Sequence, residues 1–186
     1  RFSAEAIAGG LGLPYEIRPH PVIIPNVPPM ERSRFGVAPD DFLGLAIMDL
    51  RACPDRKNPL AHVEAWKLAF GRNPTCKLLM KVRFQKRTQI VRQELLELIG
   101  DYENISLVED VFTDNEVTAF QKMGDVYLSL HRSEGFGLNI AEALEIGLPV
   151  LATAWSAPVE YMPNYKNAVP IPARQVLYRD YLRTYS

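Results

Sequence analysis

Two carboxylates and two glycines lie close together in the C-terminal half of the chain. Glu134 precedes Gly135 and Gly137, and Glu142 lies in the second turn of a run with helical spacing. Glycines let a ligand approach the main chain, and the first turn of a helix offers unpaired N–H groups that bind phosphate. Ionised carboxylates accept hydrogen bonds from hydroxyl groups. The pattern predicts a ligand with phosphate and ribose or sugar hydroxyls, unless Glu134 only caps a turn and Glu142 only favours the helix start.

The elements around this loop follow from the apolar pattern. Val126 to Leu130 is an apolar, β-branched and aromatic run that predicts a strand, and Leu138 to Ile146 has helical spacing and stops at Gly147. Pro149 to Thr153 predicts another strand. The order is therefore strand, loop, helix, strand, and the loop leads directly onto a helix N-terminus.

A long segment around the two carboxylates resembles a known signature. Glu134-Gly-Phe-Gly-Leu-Asn-Ile-Ala-Glu142-Ala, followed by Gly147-Leu-Pro-Val-Leu-Ala-Thr153, is similar to the E-x7-E signature of retaining nucleotide-sugar glycosyltransferases with the GT-B fold, the glycosyl transferases group 1. The preceding Ser129-Leu-His-Arg-Ser133 resembles the variant in bacterial polysaccharide and lipopolysaccharide enzymes.

The resemblance implies roles for the residues of this loop. The first Glu of the family contacts the donor sugar, which makes Glu134 the expected catalytic residue, and the second binds ribose hydroxyls, a role that falls on Glu142. The backbone at the helix start holds the diphosphate. The remaining expected donor-binding residues of the loop and helix start are Gly135, Phe136, Gly137, Leu138 and Asn139. His131 lies just before the loop, where it could reach a phosphate or sugar of the donor, but a hydrogen bond to a backbone carbonyl would explain it equally well.

A basic pair follows the first predicted strand and opens a helix. Arg56-Lys57-Asn58-Pro59 resembles the family position whose basic residues neutralise the donor diphosphate, so Arg56 and Lys57 are expected donor ligands. The family commonly has an Arg five residues before this Lys, where this chain has Ala52. Arg56 is the preferred substitute, and Arg51 is the alternative.

Other residues at strand ends are expected to frame the nucleotide. Lys81 and Arg83 end the second predicted strand, and Val111 and Phe112 could form a wall against the base. Ser156 is a further candidate for approach to the donor sugar. Packing or solvation would explain each of these residues equally well.

Composition limits the classes of function. The 186 residues are 47% hydrophobic with a net charge of −1, so they fit one globular domain and show no basic surface for nucleic acid. The two cysteines and three histidines form no cluster with metal-ligand spacing. No apolar run approaches the roughly 20 residues that cross a bilayer. The start at Arg1, without a signal-peptide pattern, suggests a fragment of a longer protein.

The chain divides into three predicted parts. Residues 1–42 hold a short helix candidate near Ser3 to Ile7 and many prolines, with a possible edge strand at Val22 to Ile24. This part is the expected interdomain crossover of the resembled family. Residues 43–173 form the predicted donor-binding domain, and residues 174–186 a predicted C-terminal helix.

Strands and helices alternate through residues 43–173. The further predicted strands are 42–50, 77–82 and 105–108, and the further predicted helices are 59–70, 88–99, 113–123 and a short one after 156. This alternation predicts right-handed βαβ units and a parallel sheet covered on both faces. The predicted fold class is α/β, a doubly wound Rossmann-like sheet, and by resemblance the C-terminal half of a GT-B fold.

Two functions remain open. A receiver domain is excluded, because its acidic pair follows the first strand whereas Asp40 and Asp41 precede it. A dinucleotide oxidoreductase is excluded as well, because it needs glycines directly after the first strand and this chain has none there. The first remaining function is the donor half of a glycosyltransferase for bacterial surface polysaccharide. Its donor would be a nucleoside diphosphate sugar, without cofactor or metal, and a missing N-terminal domain would bring a glycan or lipid-linked acceptor. The expected location is cytoplasmic, with the missing domain at the inner membrane face. The alternative is a nucleotide-sugar binding or epimerase module of the same fold.

Overall fold

Six parallel strands form one sheet. The computed structural model describes residues 2–12, 14, 16, 18, 20–51 and 53–176. The strands are β1 (Phe42–Asp49), β2 (Cys76–Arg83), β3 (Ile105–Val108), β4 (Val126–Ser129), β5 (Val150–Thr153) and β6 (Ala168–Ile171). Their order is β3-β2-β1-β4-β5-β6, and every neighbouring pair is parallel. This is the order of a doubly wound nucleotide-binding sheet, so the predicted fold class is confirmed.

Seven helices lie in the described ranges. They are α1 (Phe2–Leu11), α2 (Pro54–Lys57), α3 (Pro59–Phe70), α4 (Gln89–Ile99), α5 (Asp114–Lys122), α6 (Leu138–Ile146) and α7 (Pro158–Tyr161). Short 3-10 helices cover Arg32–Phe35, Lys86–Thr88 and Met162–Asn164. The Thr113–Glu116 capping box opens α5, and left-handed Gly147 ends α6, as their sequence patterns predict.

The sheet is buried on both faces, as parallel sheets require. One apolar cluster joins alternate β1 residues Leu43 and Leu45 to α5 and α6. The β1 residues Ala46 and Met48, which point to the opposite face, belong to the cluster that includes Trp66 of α3 and residues of α4. The near-continuous apolar sequence of β1 follows from this double burial.

The N-terminal part differs from the prediction in two places. Residues 22–24 form no strand, because prolines on both sides remove main-chain donors that a strand would need. The segment is instead attached to α5, where Lys122 Nζ donates to the carbonyls of Pro25 and Val27. Helix α1 is longer than predicted, at 10 residues. The crossover role of residues 1–42 stays a prediction.

The C-terminal part also differs. Strand β6 was not predicted, because its Pro170 removes a ladder donor, which only an edge strand tolerates. The predicted helix at 174–186 lies outside the described residues except for 174–176, which have no regular structure.

The strand order reverses between β1 and β4. β1 is followed by α2 and α3 on one face of the sheet, whereas β4 is followed by α6 on the other. In such sheets a crevice opens beyond the carboxyl ends of the two strands at this switch point. Lys57, at the end of α2, and Glu134, in the loop after β4, both lie in this region.

Candidate functional site

A cavity of about 160 Å³ lies at the switch point. Its walls include Ile47 and Met48 near the end of β1 and Ser129 at the end of β4. The cavity is also lined by the charged side chains of Lys57 and Glu134 and by residues 137–140 at the start of α6. The predicted loop and the predicted basic residue therefore line one cavity.

The start of α6 carries no side-chain cap. Its N-cap residue is Gly137, with φ 82°. Tyr161 Oη donates to the carbonyls of Phe136 (2.9 Å) and Gly137 (3.2 Å), and so fixes the chain just before the helix. A Cβ at Gly137 would lie 2.8 Å from Tyr161 Oη, whereas a Cβ at Gly135 would meet nothing within 4 Å. Leu138 and Asn139, whose amides belong to the first turn of α6, line the cavity, and a helix start of this kind attracts anions.

Glu134 forms ion pairs with both residues of the basic pair. Lys57 Nζ contacts Glu134 Oε2, and Arg56 Nη1 lies 3.1 Å from Glu134 Oε1. Burial alone would raise the pKa of Glu134, but the hydrogen bond from Lys57 and the charges of Lys57 and Arg56 outweigh it and lower that pKa. Glu134 is therefore ionised at neutral pH and suited to accept hydrogen bonds from hydroxyl groups.

Main-chain bonds join the loop after β4 to the segment after β1. The amides of Arg132 and Ser133 both donate to the carbonyl of Arg56, at 2.9 and 3.3 Å. Asn58 Nδ2 donates to the carbonyl of Leu130 at 2.9 Å. These contacts bring Arg56 and Lys57 next to Glu134, although the two residues lie 78 and 77 positions before it in the sequence.

His62, which the sequence analysis did not single out, supports the same loop. The amide of Leu130 donates to His62 Nε2 (3.1 Å), so Nδ1 carries the proton and donates to the carbonyl of Asn58 (3.0 Å). Burial lowers the pKa of His62 to about 4, and the ring is neutral. Asn58 and His62 lie four residues apart, directly after the basic pair, and this spacing at a helix start was the available indication of a shared role.

Two strained residues hold the loop at opposite ends. Asn58 (φ 51°) and Ser156 (φ 69°) are the non-glycine residues with positive φ in the described ranges. Asn58 binds the carbonyl of Leu130, as above, and the buried Ser156 donates its hydroxyl to the carbonyl of Glu134. Backbone strain of this kind concentrates at functional sites. Ser156 thus contacts the loop backbone.

His131 is buried beneath the loop. Its Nδ1 lies 3.0 Å from Ser129 Oγ and its Nε2 lies 3.3 Å from the carbonyl of Trp155. Burial lowers the pKa of His131, so the ring is neutral, with Nε2 donating and Nδ1 accepting. Both nitrogens contact protein atoms, which is the arrangement of a supporting residue. The role of His131 as a donor ligand stays a prediction.

Glu142 is half-buried on α6 and makes no hydrogen bond to the other residues that the structure describes. Burial raises its pKa, the charge of Asp114 adds to that effect, and His20 opposes it. The His20 ring also contacts Phe136, whose other neighbour is Tyr161, at centroid distances of 5.7 and 5.5 Å. The Glu142 carboxylate therefore remains available to a ligand.

The alternative basic residue lies elsewhere. Arg51 pairs with Asp49 on the surface and makes no contact with Glu134, so Arg56 is the residue that joins Lys57 at the site. Arg132 lies 4.0 Å from Asp55.

The predicted base-binding residues lie at the ends of β2 and β3. Val111 is 73% exposed, and Arg83 ends β2 with its side chain half-buried. Phe112 packs against Phe120 and lies beneath the cations of Lys81 and Arg34, so part of its ring is already covered.

Among the described residues, no three His, Cys, Asp or Glu side chains are grouped as a metal site would require. Separately, no described helix is both long and apolar enough to span a bilayer.

One family model and several solved structures match the chain. Residues 89–177, which contain Glu134 and Glu142, match the model described as glycosyl transferases group 1. A UDP-forming α,α-trehalose-phosphate synthase from Burkholderia xenovorans is similar, with a TM-score of 0.59 and 14% identity over 71% of this chain and 34% of that one. No functionally curated protein matches the sequence significantly.

Two further structures resemble the chain at 20% identity. The C-terminal domain of the glycosyl transferase group 1 family protein LpcC from Francisella tularensis has a TM-score of 0.57 over 70% of this chain and 68% of that one. Anabaena Alr3699/HepE, in complex with UDP and glucose, has a TM-score of 0.58 over 69% of this chain and 34% of that one. The chain spans about a third of the first and last of these three structures. At such identities the likeness shows a shared fold.

Proposed function

We propose that this chain, whose residues 89–177 match the model of glycosyl transferases group 1, is the donor-binding half of a retaining glycosyltransferase. The enzyme would move a sugar from a nucleoside diphosphate sugar to an acceptor hydroxyl. One observation carries the proposal: the uncapped start of α6, the Lys57 ammonium and the Glu134 carboxylate line a single cavity at the switch point of the sheet.

The diphosphate is assigned to the start of α6. Its free amides and positive dipole end attract an anion, and Lys57 and Arg56 add two cations at the same place. When the bond between the sugar and the diphosphate breaks, the electron pair goes to the departing phosphate oxygen, which gains charge. Groups that are already aimed at that oxygen stabilise the transition state without reorganisation.

The two carboxylates accept hydrogen bonds from hydroxyl groups of the nucleoside diphosphate sugar. Glu134 is held ionised by its two cations, so it accepts hydrogen bonds from the sugar next to the diphosphate. Glu142, about one turn along α6, is the proposed acceptor for the ribose hydroxyls. One of the similar structures supports this class of ligand, since Anabaena Alr3699/HepE is described in complex with UDP and glucose.

The acceptor requires a second domain, which the proposal places in the parent protein. A bacterial surface polysaccharide or a lipid-linked glycan is the proposed acceptor, with transfer at the cytoplasmic face of the membrane. The 186-residue chain alone is therefore expected to bind donor nucleotide without transferring sugar.

Calorimetric titration with UDP, GDP and ADP, and with their sugars, tests the proposal. We expect at least one of them to bind, because all the residues that we propose as diphosphate ligands lie in this chain. Absence of binding at millimolar ligand, with a native circular dichroism spectrum, would reject the donor site. A parent protein that converts the donor sugar without any acceptor would support an epimerase instead.

A further inference from the structure

Lys81 is a buried cation that the proposed chemistry leaves without a role. It lies near the end of β2 and is only 4% exposed. Its ammonium lies 5.1 Å from the ring centroid of Phe112. It makes no hydrogen bond or ion pair with any residue in the described ranges. The two carboxylates whose charge reaches it, Asp110 and Asp49, are paired with Arg34 and Arg51.

Such a lysine is expensive for a small domain to keep. An ammonium on a side chain with so little exposure, and with no counter-ion at hydrogen-bond distance, loses part of its hydration, and the face of Phe112 returns only part of that loss. Burial lowers the pKa of Lys81 in agreement with this cost. A methionine of similar size would fill the same space without this loss of hydration. The ammonium is therefore suited to donate a hydrogen bond to a bound ligand.

The position of Lys81 relates it to the donor cavity. Lys81 is the register partner of Ile47, which lines that cavity, so the two side chains lie on the same sheet face about 4.8 Å apart along the hydrogen-bonding direction. Phe112 lies two residues before Asp114, whose charge reaches Glu142. The loop between β3 and α5 therefore connects the Lys81 ammonium to the carboxylate assigned to the ribose.

We infer that Lys81 recognises the nucleobase of the donor and selects bases with a keto oxygen, as in uracil and guanine, over adenine. This inference rests on the proposed function. With the diphosphate at α6 and the ribose at Glu142, the base extends along the β3–α5 loop towards β2. An ammonium offers only donors. Uracil and guanine present a keto oxygen to it where adenine presents an amino group, itself a donor.

Calorimetry on three forms of the chain tests the assignment. Wild type, Lys81→Met and the control Lys77→Met are titrated with UDP, GDP, ADP and inorganic pyrophosphate. Lys77 is the second residue of the same strand, so it lies at the strand end away from the proposed site, and it is half-buried. Wild type should bind UDP or GDP at least tenfold more tightly than ADP. Lys81→Met should lose about ten- to a hundredfold for that ligand and less than twofold for ADP and pyrophosphate, while Lys77→Met changes nothing.

The outcomes separate the inference from the function on which it rests. Lys81→Met should unfold at the wild-type temperature or above it, because it removes a buried unpaired charge. Equal binding of ADP, UDP and GDP by wild type overturns the inference whatever the variant does. Equal losses for all ligands, pyrophosphate included, also overturn it. If wild type binds none of the four ligands, the donor site itself fails.

Discussion

Replacement of Lys57 by Met tests the central ion pair of the site. The side chains of Glu134 and Lys57 are 13% and 16% exposed, and Arg56, which keeps its contact in the variant, is 29% exposed. A charge-assisted hydrogen bond contributes about 1.5 to 3 kcal/mol, and leaving a buried charge without any partner costs about 3 to 5 kcal/mol. Because Arg56 remains, we expect Lys57→Met to reduce the free energy of unfolding by about 1 to 3 kcal/mol at pH 7.

A double-mutant cycle isolates the pair from other effects of the substitution. Urea unfolding of Lys57→Met, Glu134→Gln and the double variant should give a coupling energy of about 1 to 2 kcal/mol. The matched control is the exposed pair Arg51–Asp49, with side chains 45% and 48% exposed, whose coupling should stay below about 1 kcal/mol. Equal coupling in the two cycles would refute the assignment of Glu134 to a partly buried ionic network.

The same variant reports on the ionisation of Glu134. Its lowered pKa stabilises the fold above the unfolded value of about 4.3, and this contribution is lost as the pH falls through the folded value. Without Lys57 the burial effect gains weight, so the Glu134 carboxyl resonance should titrate at higher pH by NMR. Binding should respond as well, with about ten- to a hundredfold weaker diphosphate binding and unchanged nucleoside binding.

Three further predictions concern other parts of the site. Glu142→Gln should weaken UDP or GDP binding by about 1 to 3 kcal/mol in calorimetry but leave 2′,3′-dideoxy analogues unaffected, and equal losses for both ligands would contradict the ribose role. Gly137→Ala should lower the free energy of unfolding by more than about 1 kcal/mol, because φ is positive and Tyr161 is close, whereas Gly135→Ala should change stability by less than about 0.5 kcal/mol and weaken ligand binding. The depressed pKa of His62 means that the unfolded chain binds the extra proton first, so unfolding free energy should fall by about 3 kcal/mol between pH 6.5 and 4. This loss should be absent in His62→Gln.

Helices and strands with local boundary patterns were predictable. The bounds of α3 (Pro59–Phe70), β3 (Ile105–Val108) and α6 (Leu138–Ile146) agree with the prediction. A proline at the first helical position and a glycine after the last one act through neighbouring residues alone, so one sequence contains all the necessary information. Residues 22–24 show the opposite case, since an apolar triplet predicts a strand only if a partner strand is available.

The ionic arrangement of the site was less accessible from sequence. The sequence predicts separate roles for Glu134 at the sugar and Lys57 at the diphosphate. Nothing in their spacing indicates that the two side chains, which follow β4 and β1, form an ion pair with each other. The support by Asn58 and His62 depends on the polar groups of Leu130, which become neighbours of α3 only after β1 and β4 align. These contacts follow from tertiary packing.

The left-handed conformation of Ser156 has a consequence for protein engineering. A glycine there would relieve the positive φ, but the larger conformational entropy of glycine in the unfolded chain offsets that gain. The same exchange deletes the hydroxyl that holds the carbonyl of Glu134. A library selected for heat resistance alone would therefore have little reason to change Ser156, whereas Ser156→Gly would loosen the loop that carries Glu134.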